Sequence, residues 1–202
     1  MIRRSILASF FLLVAAACSP PAPATAQPQT PPTGAVEEAV FAGGCFWCME
    51  HDMGAIPGVI SVESGYTGGR NENPTYENHP GHYEAVRVRY DSGRISYRQL
   101  LDRYWPLVDP TDDGGQFCDR GSSYRTAIFV TATQRAEAEA SKRAIIASER
   151  VNGRVLTPVL DAATFWPAEE YHRDYARRNP ARYAAYRAAC GRDRVLRQVW
   201  RR

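Results

Sequence analysis

An α+β fold, with helices packed on a mixed or antiparallel sheet, is what this chain predicts, and three observations carry the expectation. Read in order, the segments run strand, helix, strand, strand, helix, strand, helix, strand, without a regular β-α-β beat. Strand-like stretches alternate apolar and polar residues, as half-buried strands do. Residues 35–202 are enough chain for one domain with a substantial core.

Each element follows from local chemistry. Val36 to Ala42 is short and apolar-rich, and Gly43-Gly44 turns the chain out of it. Cys45 to Ala55 reads as a helix that stops before Pro57-Gly58. Val59 to Tyr66 alternates as a strand, and Thr67 to Gly81 is a long loop rich in Gly, Asn and Pro. Loops of that length in compact domains are often functional. His82 to Tyr90 is a strand with a polar face. Tyr97 to Val108 is an amphipathic helix with Ser96 as its N-cap. Asp109 to Ser123 is a second loop, Tyr124 to Thr131 a strand, and Thr133 to Arg150 a helix capped by Thr131 or Thr133. Val159 opens another strand, and Glu169 to Arg178 and Pro180 to Cys190 read as late helices.

The first 34 residues have a different character. Residues 1–17 begin with Arg3 and Arg4 and run into the apolar stretch Ile6 to Ala17, which reads as a secretory signal. That stretch is short for a permanent membrane span. Cys18, after Ala16-Ala17, resembles the lipidated cysteine of a bacterial lipoprotein; cleavage after Ala26 is the alternative. Residues 18–34 form a Pro-rich tether, extended because proline fixes φ and lacks a donor. The expectation is an exported chain, periplasmic or held at the cell envelope.

Charge narrows the partners. The net charge is +3, and Arg3 and Arg4 of the signal supply two of the positives. No nucleic-acid field follows. The arginine-rich stretch Arg182 to Arg202 reads as a solvated helix face.

Chemistry concentrates in the cysteines. Cys45 and Cys48 form a C-x-x-C pair around Phe46 and Trp47. Placed at the first turn of a helix, Cys45 has unpaired N–H groups and the helix dipole to stabilise a thiolate, the nucleophilic form. Gly43 and Gly44 would leave its sulfur uncovered. Phe46 and Trp47 could wall a small apolar group such as a methyl. A zinc site is disfavoured, because no second C-x-x-C stands at ligand spacing.

Further motifs, in order, give a resemblance to a known family. Gly43-Gly44-Cys45-Phe46-Trp47-Cys48-Met49-Glu50 is followed by Gly65-Tyr66-Thr67-Gly68-Gly69, by Asn73-Pro74-Thr75-Tyr76, by Gly81-His82-Tyr83-Glu84-Ala85-Val86, and by Phe117 to Thr126. Together they resemble the A-type peptide methionine sulfoxide reductases over roughly residues 38–175. The resemblance implies a two-layer, ferredoxin-like α+β core. It implies reduction of the S epimer of methionine sulfoxide, free or in proteins, a lesion for which each epimer has its own enzyme. It makes Cys45 the nucleophile, Glu84 the proton donor, and Tyr76 and Tyr124 the hydrogen-bond donors to the sulfoxide oxygen. Phe46 and Trp47 would hold the S-methyl group, and Asp119 would help fix the substrate. His79 and His82 are left as loop or surface residues.

Cys45 would end as a sulfenic acid, which another thiol must resolve. Cys190, Cys48 and Cys118 are the candidates; the single Cys190-Gly191 departs from the two-cysteine tail that many relatives carry. A thioredoxin-like protein is the expected electron donor, with no metal or organic cofactor, and a monomer is expected. Two rivals stand: a thioredoxin-like thiol-disulfide oxidoreductase using Cys45 and Cys48, and a non-catalytic, envelope-anchored binding module.

Overall fold

The computed structural model describes residues 31–200. The signal, Cys18 and most of the Pro-rich tether lie outside the described residues. The last tether residues lie inside: Asp91 accepts hydrogen bonds from Thr33 N at 2.7 Å and Gly34 N at 2.8 Å. Among the described residues, no helix is long and apolar enough to cross a membrane.

The chain forms strands β1 (Val36–Gly43), β2 (Val59–Thr67), β3 (Tyr83–Asp91), β4 (Gly115–Gln116), β5 (Asp119–Arg120), β6 (Thr126–Val130), β7 (Val159–Asp161) and β8 (Trp166–Pro167). Its helices are α1 (Phe46–Gly54), α2 (Tyr97–Tyr104), α3 (Ala132–Ala147), α4 (Tyr175–Arg178), α5 (Pro180–Cys190) and α6 (Arg192–Val199). Six strands make one sheet in the order β7-β6-β1-β3-β2-β8, and β4 pairs with β5 apart from it. All pairs in the large sheet are antiparallel except β6 with β7, so the sheet is mixed, as expected.

Register places the site. The end of β1 meets the start of β3 and of β6, with Ala42 opposite Ala85 and Gly43 opposite Thr126. The end of β2 meets the same edge, with Tyr66 opposite Glu84. The residues that follow β1, precede β6 and surround the start of β3 therefore gather at one end of the sheet.

One sheet face carries the main core: Phe41, Val86 and Val88 pack with Met49 and Met53 of α1, Leu100, Leu101 and Tyr104 of α2, and Trp105. Each fully buried large apolar side chain contributes about 1.5–3 kcal/mol, so this layer supplies the rigidity on which the sheet edge rests. The other face is thinner and uses Ala42, Ala85, Ala127 and Phe129, over which Leu160 and Phe165 lie. Ser96 caps α2, and Thr131 caps α3; each makes a capping box with a glutamine at N3.

Several sequence expectations shift. Tyr124 belongs to a 3-10 turn, Ser122–Tyr124, rather than to the strand, which starts at Thr126. The helix expected over Glu169 to Arg178 shrinks to the single turn of α4, because Asp174 takes a left-handed backbone. The arginine-rich tail is not uniformly solvated: Arg192 is 1% exposed. Its guanidinium donates to Leu107 O at 2.7 Å and Gly43 O at 3.3 Å. Periodicity alone cannot show that the carbonyls ending a strand and a 3-10 turn will receive one of those charges.

Candidate active site

Cys45 is the N-cap of α1, one residue outside the helix proper. The Gly43-Gly44 turn that delivers it has no room for side chains. A Cβ on Gly43 would stand 2.5 Å from Met49 Sδ, and one on Gly44, at φ +81, 2.6 Å from Gln116 Cβ. The glycines thus serve close packing and a left-handed turn. They do not uncover the sulfur, since Cys45 is 6% exposed.

Burial also reverses the expected electrostatics. The Cys45 side chain makes no cap hydrogen bond to α1. Burial pushes its thiol well up, and the hydrogen bond and charge of Cys48 and the charge of Glu84 push the same way. Cys48 moves down, chiefly because it accepts the hydrogen bond from Cys45, with Arg192, Tyr183 and Arg187 assisting. The two buried thiols are a coupled pair in which Cys45 holds the proton. A helix N-terminus favours a thiolate only where burial does not cost more.

Glu84 is 1% exposed at the start of β3, an interior strand, and accepts a hydrogen bond from Phe46 N at 3.0 Å. Burial raises its carboxyl to about 8, with the Asp119 and Cys48 charges adding to the rise against the Phe46 N–H. It is a protonated acid at neutral pH. Tyr76 and Tyr124 arrive from different segments and are hydrogen-bonded to each other, both under the influence of the Glu84 charge. Tyr76 lies on the long loop, 41% exposed, and its backbone N donates to Glu169 Oε1 at 2.8 Å. Glu169 also accepts from Tyr66 OH at 3.0 Å, which ties the loop to the end of β2.

An aromatic shell surrounds this group. Phe46 is buried against Tyr66 and His172, with ring centroids 5.7 and 5.0 Å away. Trp47 stacks on Tyr175 at 3.8 Å and donates from Nε1 to His172 Nδ1 at 3.1 Å. His172 in turn lies 4.7 Å from the Tyr76 ring. The two aromatics of the C-x-x-C are therefore held in fixed orientations beside Cys45. Asp119, whose carboxyl burial raises, accepts a hydrogen bond from Tyr186 OH, and the Tyr186 side chain packs against Cys45 and Cys48.

The remaining candidates divide. Cys118 and Cys190 form a disulfide, while Cys45 and Cys48 are free and buried. The Cys118, Asp119 and Cys190 ligand atoms lie within 4.8 Å of one another, but both sulfurs are spent on the bond. His79 and His82 are buried rather than on the surface, at 6% and 2% exposure. They pin the long loop: His79 Nδ1 meets Tyr76 O at 2.7 Å, and His82 accepts from Gly69 N at 3.2 Å. The motif reading missed Tyr66, Glu169, His172, Tyr183, Tyr186 and Arg192. For Tyr186 a signal existed: it stands four residues before Cys190, on the same face of α5.

Comparison with known proteins agrees with this arrangement. The family model described as "Peptide methionine sulfoxide reductase" matches residues 37–202. "Peptide methionine sulfoxide reductase MsrA 2" of Caulobacter vibrioides is 61% identical over 183 residues, covering 89% of this chain and 90% of that one. Among solved structures, methionine sulfoxide reductase A of Corynebacterium diphtheriae superposes with a TM-score of 0.63 at 28% identity, over 72% of this chain and 76% of that one. The reduced form of Mxr1 from Saccharomyces cerevisiae superposes with a TM-score of 0.66 at 25% identity, over 72% and 87%.

Proposed function

The chain belongs to the peptide methionine sulfoxide reductase family, and from that premise we propose that Cys45, Glu84, Tyr76 and Tyr124 reduce the S epimer of methionine sulfoxide, free or in proteins, to methionine. The observation that carries the assignment of roles is the meeting, at one sheet end, of a buried thiol, a carboxyl raised to about 8 and a pair of hydrogen-bonded phenols.

The chemistry follows from the proton inventory. A sulfoxide sulfur is a poor electrophile until its oxygen is protonated or strongly hydrogen-bonded. Glu84, protonated at neutral pH, donates to that oxygen, and the Tyr76 and Tyr124 hydroxyls hold it as it gains charge. Cys45 attacks the sulfur, the oxygen passes to Cys45, and the thiol proton restores Glu84. The balance is Cys45–SH plus sulfoxide giving Cys45–SOH plus thioether. Trp47 and Phe46 seat the S-methyl group, and Asp119, oriented by Tyr186, borders the same space. Epimer choice results when methyl and oxygen each have one place to go: apolar rings on one side, acid and phenols on the other.

A dithiol protein of thioredoxin type is the reductant this reading requires, and export through residues 1–17 puts the reaction outside the cytoplasm. Thioredoxin-type exchange as the sole activity would leave Glu84 and the paired tyrosines without a task. The test supplies the purified chain with dithiothreitol and separate S and R epimers of a blocked methionine sulfoxide, with Cys45→Ser in parallel. Turnover of S alone, absent in Cys45→Ser, is expected; a well-folded chain that leaves the S epimer untouched sinks the proposal.

A further inference from the structure

We propose that Cys118 and Cys190 are the recycling pair of this enzyme, with Cys190 taking the oxidising equivalents from Cys45 and Cys118 carrying them to the surface. The inference rests on the reductase reading and assigns the second half of its cycle.

Three observations support it. The first is redox state: the disulfide joins Cys118 to Cys190 while Cys45 and Cys48 remain thiols. That distribution is what a completed transfer leaves, with the nucleophile regenerated and the oxidation parked elsewhere. The second is a gradient of access. Cys45 is buried, Cys190 half-buried and Cys118 exposed, so the residue a reductant must reach is the most open of the three.

The third is the fastening of the two segments. Cys190 ends α5 one turn after Tyr186, and Tyr186 packs against the Cys45–Cys48 cluster while donating its hydroxyl to Asp119. The last turn of α5 therefore brings Cys190 to the wall of the Cys45 site. Beyond Cys190, the Arg192 guanidinium lies 4.6 Å from the centre of the Phe117 ring. Phe117-Cys118-Asp119 is thus tied to Tyr186–Arg192 by an aromatic–cation contact, the disulfide and a hydrogen bond. Two of those ties survive reduction. They keep the thiols adjacent, so the bond can open and close within the folded chain despite a sequence separation of 72. A staple meant only for stability needs neither an exposed cysteine nor a place one turn from the residue that packs on Cys45.

The steps balance. Cys190 thiol attacks the Cys45 sulfenic acid, forming the Cys45–Cys190 disulfide and releasing water. Cys118 thiolate attacks the Cys190 sulfur, forming Cys118–Cys190 and expelling Cys45 as thiolate. An external dithiol then attacks Cys118, reduces the bond and leaves as its own disulfide.

Stoichiometry tests this directly. The full chain is reduced with dithiothreitol, freed of the reagent and mixed with excess S-epimer of N-acetylmethionine sulfoxide. Wild type should form two equivalents of N-acetylmethionine, the first ending as Cys118–Cys190 and the second as oxidised Cys45. Cys118→Ser and Cys190→Ser should each form one. Peptide mapping after alkylation should find Cys45–Cys190 in Cys118→Ser. One equivalent from wild type, two from Cys118→Ser, or a Cys45–Cys118 bond in Cys190→Ser would overturn the inference while leaving the reductase intact. No product from any chain would instead remove the reductase reading itself.

Discussion

Two cysteine pairs in this molecule have opposite surroundings. Cys45 and Cys48 are one helical turn apart, buried, reduced and coupled through a shared proton. Cys118 and Cys190 come from distant segments, reach solvent and are oxidised. The difference separates two demands. Oxygen transfer from a sulfoxide needs a dry site, where burial keeps Glu84 protonated and strengthens each hydrogen bond to the oxygen. Exchange with an external dithiol needs an open sulfur. One pair cannot satisfy both, and the chain places them on either side of Tyr186 and Asp119.

The largest effect that would sharpen this comparison is Cys45→Ser, which should abolish methionine formation from the first equivalent onward. Appreciable turnover by that variant would break the comparison, since the buried pair would then not hold the nucleophile. Next comes Glu84→Gln, which keeps a hydrogen bond but loses the proton. A fall in kcat/KM of about 10²–10⁴ is expected, the range for a positioned general acid. In wild type, kcat/KM should decline as pH rises through about 8, because the ionised carboxylate no longer donates. That descending limb should vanish in Glu84→Gln; if it persists, another group is the acid.

The same residue predicts a stability effect of the opposite sign. Its carboxyl rises from 4.5 to about 8 on folding, so the folded state binds the extra proton between those values. Its contribution to stability is intact below the lower value and is lost as pH rises toward the upper one. Glu84→Gln should therefore be the more stable protein at pH 8, by an amount on the order of a few kcal/mol, with little gain at pH 4. Thermal melts across that range would show it, and equal melting curves at all pH values would contradict the burial argument.

Tyr124→Phe should lower kcat by roughly 10²-fold, as loss of one oriented donor to a developing oxyanion does, with a smaller change in KM. A pure KM effect would make Tyr124 a binding residue only. The smallest effect belongs to Cys48→Ser. A hydroxyl still accepts the Cys45 S–H, so turnover with dithiothreitol should stay within about threefold of wild type, under 1 kcal/mol of barrier. A loss as deep as that of Cys45→Ser would make the buried pair a unit and redraw the division of labour.

The Gly43-Gly44 turn, Cys45 at the head of a helix, the Ser96 cap and the alternation of the strand around Glu84 are short-range features, and they appear where periodicity and capping rules put them. Tyr124 sits one element before the strand its sequence suggests, because a 3-10 turn before a strand has no distinct apolar period. His79 and His82 read as loop or surface residues; they belong to the loop, yet their rings are buried and fasten it from inside.

By itself, the sequence determined the family, the α+β class and the order of the main elements, and it named the candidate reacting groups, because motifs, caps and hydrophobic periods act over a few residues. Only the tertiary structure decided the protonation of those groups and the pairing of Cys118 with Cys190. A pKa depends on burial and on charges brought from other strands, as Asp119 and Cys48 are brought to Glu84. A disulfide depends on two backbones meeting, here at a Cα–Cα distance of 4.8 Å between residues 72 apart. Both quantities come into being only when distant segments of the chain pack together.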